Sequence, residues 1–226
     1  MTNTPHNLWV FGYGSLMWRP GFAYEEARHA RVTGYRRCFC IYSVYHRGTA
    51  RRPGLVLGLD RGGACEGIAY RVAGPDVAQT VGYLRAREQV NGVYREAHVP
   101  VALIEGPRRE VQALTYIVER AHPSYAGRLP LALQARLIRA GRGRSGNNLD
   151  FLISTLRHLR ELGIRERELE RVLALIGPHT ARGGTTGQAS PYAAGLLRAA
   201  RAEPPPVRRK LRTAELRRFL HRLHLQ

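Results

Sequence analysis

Lysine is almost absent from this chain. Of 36 basic residues only Lys210 is a lysine, and so complete a replacement by arginine reads as a compositional bias of the whole chain rather than a device built at one site. Cysteine is scarce as well. Cys38, Cys40 and Cys65 are too few and too closely placed for a disulfide framework in 226 residues, which fits a reducing compartment. Cys38 and Cys40 flank Phe39 in an apolar run and would share one strand face, but no CxxC pair or Cys/His quartet completes a zinc site, so packing is the favoured reading. Long apolar runs are missing too. Met1 to Asn7 is polar, and no stretch approaches the roughly 18 apolar residues that a spanning helix needs. The expectation is a soluble, cytoplasmic protein with no membrane partner.

Acidic residues are outnumbered, 17 against 36 basic, for a net charge of +19, and an excess of that size raises nucleic acid as the first partner to weigh. Its distribution argues the other way. The last 26 residues hold 8 basic and 2 acidic side chains, whereas through the body arginine is mixed with acids and apolar residues, as on a solvated surface. A nucleic-acid module concentrates its basic residues in a stripe with aromatic partners. A nucleic-acid or anionic-membrane reading uses the tail, alone or with the whole surface; the favoured reading of the tail is a helix that docks its Leu/Phe stripe onto the body. The sequence carries no sign of an oligomeric state.

What is present is ordinary globular material, 44% hydrophobic, enough for one packed domain with an appendage. Leu8–Phe11 reads as a short strand ending in Gly12-Tyr13-Gly14-Ser15, and Cys38–Tyr45 as a second. Leu55–Leu59 and Gly67–Val72 flank Asp60-Arg61-Gly62-Gly63, which predicts a hairpin. Val99–Ile104 and Val111–Val118 form another pair around Gly106-Pro107. Short strands of this kind predict an α+β fold built on a small, mixed, partly closed β-barrel. Helices are expected from Pro75 to about Val90, on the stripe Leu149, Leu152, Ile153 and Leu156, and on the stripe Leu169, Val172, Leu173 and Ile176. We divide the chain into a main domain, 1–180, and a basic, Pro-containing helical appendage, 181–226.

Two features could carry chemistry. A strand running into Gly12-Tyr13-Gly14-Ser15-Leu16 can turn several N–H groups into one concavity, which suits a carboxylate, an oxyanion or a phosphate. Met17 stands where a GxGxxG pattern needs glycine, and no Gly-Lys-Ser/Thr follows, so dinucleotide and P-loop readings both fail. The second feature is Glu88. On a helix of about 100° per residue begun at Val77, Val81, Leu84 and Glu88 fall at about 40°, −20° and 20°, which puts a carboxylate in the middle of an apolar stripe. Such a group is paired with an arginine, frayed out to water near Asn91-Gly92, or desolvated with its pKa raised, as a general base requires. Ser15 sits in no GxSxG elbow, no Ser/His/Asp triad assembles, and the nine scattered histidines form no HExxH. They read as structural or surface groups, with no metal site.

These residues resemble a known family. Phe11-Gly12-Tyr13-Gly14-Ser15-Leu16 is similar to the YGSL substrate loop of the γ-glutamylcyclotransferase fold, and the run from Tyr83 through Arg87-Glu88 to Tyr94 is similar to the catalytic segment of its ChaC branch. Gly34-Tyr35-Arg36-Arg37 through Pro53–Leu59, and Ser145-Gly146-Asn147-Asn148 through Leu152, agree with it. YGSL alone is shared by several related activities; the combination is specific to ChaC. The resemblance implies a γ-glutamylcyclotransferase-like fold and a glutathione-specific lyase activity that releases 5-oxoproline and cysteinylglycine without a cofactor. By the same resemblance Glu88 is the catalytic residue, and Gly12, Tyr13, Gly14, Ser15, Leu16 and Met17 bind substrate. Tyr116, Tyr125 and Asn148 are further candidates for contact with the cysteinylglycine half. Another γ-glutamyl amino acid or amine is the neighbouring alternative, and a basic nucleic-acid or anionic-surface binder is the alternative from a different class.

Overall fold

The computed structural model describes residues 6–89, 91–107 and 109–177; the appendage expected at 181–226 lies outside the described residues. Five strands form a closed barrel: β1 (Leu8–Gly12), β2 (Glu26–Ser43), β3 (Gly54–Val72), β4 (Tyr94–Leu103) and β5 (Arg109–Val118), in the order β1-β3-β2-β4-β5. Neighbours run antiparallel except β1 and β5, whose parallel pairing at Trp9↔Ala113 and Val10↔Leu114 closes the ring. The mixed barrel is as expected, and closure is complete rather than partial. The hairpin between β4 and β5 is also as expected, with Gly106 at φ 72°.

The second expected hairpin is a correction. Residues 55–72 do not reverse at Asp60-Arg61-Gly62-Gly63; they lie within β3, a single 19-residue strand paired along most of its length with the 18-residue β2. Gly62 and Gly63 do take positive φ, 100° and 76°, but they do so opposite Gly34 at φ 86°, where the register shifts between Thr33 and Tyr35. Glycine freedom here bends a continuous ribbon instead of folding it back. The reversal lies between Ser43 and Gly54. It is held by Thr49 and Arg52 exchanging backbone hydrogen bonds at 2.9 and 3.2 Å, and by the Arg47 amide donating to Ser43 Oγ at 2.9 Å.

The helices pack outside the barrel. A 3₁₀ turn at Gly74–Asp76, with Pro75 in its first turn, leads into α1 (Val77–Glu88), as expected. α3 (Asn148–Glu161) and α4 (Arg167–Ile176) bury the expected stripes, with Leu152, Leu156, Leu159, Leu169 and Val172 packed against Phe39, Leu55 and Leu57 on the outer barrel face. α2 (Leu131–Ala140) was not expected; Arg136 and Arg139 interrupt its short apolar pattern, and it buries Gln134, Ala135 and Ile138. A two-residue ribbon, β6 (Arg142–Gly143) and β7 (Gly146–Asn147), joins α2 to α3. Within the barrel Phe11, Tyr13, Val32, Leu59, Val99 and Val101 form the inner core. Cys38 and Cys40 are buried and free and share one cluster, as their alternation predicted. Among the described residues no helix is long and apolar enough to cross a membrane.

Candidate active site

The turn after β1 begins where two strands nearly touch. Gly12 pairs beside Ile68, and a Cβ at Gly67 would fall 2.2 Å from the Gly12 carbonyl oxygen, so only glycine at 67 permits this approach. Tyr13 then folds its ring into the barrel, and Ser15–Met17 forms a 3₁₀ turn that buries Leu16 and Met17. Its carbonyls are engaged one after another. Arg37 Nε donates to Tyr13 O at 2.5 Å, the Met17 amide to Gly14 O at 3.0 Å, and the Arg19 amide to Ser15 O at 2.8 Å. The Tyr70 hydroxyl spans Leu16 O and Met17 O at 3.1 and 2.7 Å. With the carbonyls turned inward, the amides of Gly14, Ser15 and Leu16 have no acceptor among the described residues. Consecutive N–H groups without an acceptor are the donor set that an anion-binding turn requires.

Helix α1 brings Glu88 to this turn. Val77, Val81 and Leu84 pack with Val10, Leu16, Leu114 and Tyr116, which sets the last turn of the helix beside the 3₁₀ turn. Glu88 ends the helix with its side chain 19% exposed. Burial pushes its carboxyl above the ordinary glutamate range, and the Arg87 guanidinium, with Nε 3.2 Å from Oε1, opposes that shift without cancelling it. The arginine-paired and desolvated readings therefore hold together, and the helix is not frayed before Glu88. Tyr13, Tyr94 and Tyr116 all feel this carboxylate; burial first, and then neighbouring charge including that of Glu88, raises their phenols, so they stand as neutral hydroxyls. Tyr94 donates to Leu57 O at 2.6 Å.

Of the residues singled out in the sequence, Gly12 to Met17, Glu88 and Tyr116 meet at one place. Tyr125 and Asn148 are engaged otherwise. The Tyr125 hydroxyl donates to Asp60 Oδ2 at 3.0 Å, in a network with Arg120 and Arg36. Asn148 is fully buried, with Oδ1 accepting from the Leu55 amide at 2.6 Å and Nδ2 donating to Leu55 O at 2.7 Å, so both ends of its side chain complete the edge of β3. Arg37, Tyr70, Arg87 and Tyr94 were not singled out. Arg87 and Tyr94 lie inside the Glu88 segment and Arg37 inside the Gly34-Tyr35-Arg36-Arg37 stretch, but nothing local marks Tyr70, and the partners of Arg37 and Tyr70 at the turn are brought in by strand register.

Two surface hollows lie elsewhere, one lined by Ala135, Arg139, Leu175 and Ile176, the other by Trp9, Glu26, Arg28 and Arg71. Neither brings unpaired amides to a desolvated carboxylate. The one acid in the second with a clear shift, Glu26, is held below its ordinary range by hydrogen bonds from Arg28 and Arg71, the opposite of a poised base. Among the described residues no group of three His, Cys, Asp or Glu side chains gathers as a metal-ligand set.

Comparison with known proteins bears on the family and the fold. Residues 8–178 match the family described as ChaC-like protein. The chain is 41% identical to the human glutathione-specific γ-glutamylcyclotransferase 1 over 151 residues, covering 66% of this chain and 68% of the human one. It is 34% identical to the glutathione-specific γ-glutamylcyclotransferase of Escherichia coli over 169 residues, 75% and 72% of the two chains. A crystal structure of the yeast γ-glutamyl cyclotransferase specific to glutathione superposes with a TM-score of 0.68 at 22% identity, over 75% of this chain and 95% of the yeast one. That likeness speaks to the fold.

Proposed function

Because this chain belongs to the ChaC-like protein family, we propose that it is a glutathione-specific γ-glutamylcyclotransferase, a lyase that converts glutathione to 5-oxoproline and L-cysteinylglycine. The activity rests on relatives of that name at 34–41% identity. The observation that supports a mechanism is the desolvated Glu88 carboxylate beside the unpaired amides of Gly14, Ser15 and Leu16.

The α-amine of the γ-glutamyl group is mostly protonated near neutral pH and cannot attack until it loses a proton. Glu88, whose raised basicity suits the task, takes that proton. The amine nitrogen then bonds to the γ-carbonyl carbon of the same residue, closing a five-membered ring. The turn amides hold the α-carboxylate and present donors to the developing oxyanion, each such donor contributing about 10²- to 10³-fold in comparable sites. Collapse of the tetrahedral intermediate breaks the γ-amide C–N bond as protonated Glu88 gives its proton to the departing nitrogen; the ionised Glu88 then takes the surplus proton from the ring nitrogen and passes it to the same amine, so that 5-oxoproline leaves as a neutral lactam and cysteinylglycine as an ammonium. Attack within one molecule makes orientation the main advantage, and no covalent intermediate with the protein forms.

The substrate is the partner in this reading, and the positive charge of the chain favours its capture. The cytoplasm, with residues 1–180 as the catalytic unit, fits the three free, buried cysteines. Incubation with glutathione alone should yield 5-oxoproline and cysteinylglycine in equal amounts, with γ-glutamyl-alanine turned over much more slowly and Glu88→Gln inactive. Full turnover by Glu88→Gln removes the mechanism; equal turnover of the two substrates removes the specificity.

A further inference from the structure

Arg87 has no place in the mechanism above, yet it is the most connected side chain at the site. Its Nη1 donates to Arg19 O at 2.8 Å, to Tyr83 Oη at 2.8 Å and, at 3.3 Å, to Pro20 O; its Nη2 donates to Ser15 Oγ at 2.9 Å; its Nε lies 3.2 Å from Glu88 Oε1. The guanidinium also lies 5.9 Å from the centre of the Tyr83 ring, one turn earlier on α1. The contacts on one side belong to the segment 15–20, which contains the Ser15–Met17 turn, and those on the other to the last turn of α1.

We propose that Arg87 is a positioning residue for the cyclisation, a clamp that holds the anion-binding turn at a set distance from the Glu88 carboxylate. The inference deepens the reading of Glu88 as the base and rests on it. An arginine is needed because the acceptors are divided among all three guanidinium nitrogens: a guanidinium offers five N–H groups in a fixed fork, whereas a lysine ammonium offers a single point charge. A substrate that binds by its α-carboxylate at the turn and reacts by its α-amine at Glu88 spans the distance that the clamp sets. Loosening it misplaces the amine, and a displacement of about 1 Å can cost about 100-fold.

Charge gives Arg87 a second effect that separates it from mere support. The groups facing Glu88 are Arg87 on α1, Tyr13 on the turn, Tyr94 on β4 and Tyr116 on β5. The three phenols are all raised above their ordinary range and stay neutral between pH 5 and about 9, so Arg87 supplies the neighbouring charge that favours ionised Glu88. Removing that charge makes the carboxylate harder to ionise and moves the acid limb of activity to higher pH.

The test compares steady-state kinetics with glutathione for the wild type, Arg87→Lys, Arg87→Gln and Glu88→Gln from pH 5 to 9, corrected to folded protein by circular dichroism. Arg87→Lys is expected to lower kcat/KM about 10- to 100-fold, chiefly through kcat, with its acid limb near that of the wild type. Arg87→Gln is expected to lower kcat/KM similarly and, in addition, to move the acid limb upward. If both variants, per folded molecule, keep the wild-type kcat/KM and acid limb while Glu88→Gln is inactive, the clamp is wrong and the base stands. If Glu88→Gln keeps full turnover, the base itself is wrong and the clamp falls with it.

Discussion

Asp60 and Glu88 are both carboxylates with arginine neighbours, and their surroundings drive them to opposite sides of the ordinary carboxylate range. Asp60 is 1% exposed, against 19% for the Glu88 side chain. Burial by itself would raise the Asp60 pKa, but Arg120 Nε at 2.7 Å, the Tyr125 hydroxyl at 3.0 Å and the Arg61 amide at 2.9 Å outweigh it and hold the carboxyl below its ordinary range. At Glu88 burial dominates, opposed only by Arg87. What separates Asp60, held ionised, from Glu88, pushed toward its neutral form, is the balance between desolvation and the donors that reach the oxygens: several at Asp60, one arginine at Glu88.

Exchanging each carboxylate for its amide tests that contrast. Glu88→Gln should lower kcat with glutathione by about 10²- to 10⁴-fold, the usual range for losing a general base, and leave far-ultraviolet circular dichroism unchanged. Asp60→Asn should act on stability instead. It leaves Arg120 and Arg36 without a counter-charge, and because both retain access to water we expect a loss of about 2–3 kcal/mol in chemical denaturation, below the range for fully buried pairs. A comparable loss in Glu88→Gln, or none in Asp60→Asn, would erase the distinction.

Acid titration of stability sharpens it further. The Asp60 pKa is lowered on folding, so its contribution is present above the ordinary aspartate range and lost as pH falls through its lowered value. The gap between wild type and Asp60→Asn should therefore be widest near neutrality and close in acid. Glu88 runs the other way. Its pKa is raised on folding, so the ionised side chain costs stability at higher pH. Glu88→Gln should give a small rise in Tm at pH 8 that disappears as pH falls below the ordinary glutamate range, the smallest of these effects. A lower Tm for Glu88→Gln at pH 8 would mean that its pairing with Arg87 contributes more than its burial costs.

Legibility in the sequence followed the range of the interaction. The position of Glu88 on the stripe of Val81 and Leu84 is a property of twelve consecutive residues, and it could be read directly because helical periodicity is local. The glycine turn after β1 was legible for the same reason. Asp60-Arg61-Gly62-Gly63 misled because positive φ at glycine serves a bulge as well as a reversal, and only the length of β2 opposite it decides between them. The part of β2 before Cys38 is hidden in the sequence by Arg28, Arg31, Arg36 and Arg37, which interrupt its apolar pattern. Asn148 was seen as a candidate ligand, but its amide stands in for a strand partner to Leu55, 93 residues away.

The sequence by itself determined most of the elements and the two chemical ingredients, a glycine-rich turn and a carboxylate on an apolar helix face, since backbone freedom and side-chain periodicity are decided within a few residues. Only the tertiary structure decided that the two meet. Arg37 reaching Tyr13 across 24 residues, Tyr70 holding Leu16 and Met17, and Arg87 bridging 72 residues to Ser15 depend on strand register and helix packing. The pKa of Glu88 was settled there as well, because desolvation and the count of nearby donors are properties of the assembled neighbourhood and not of the residue.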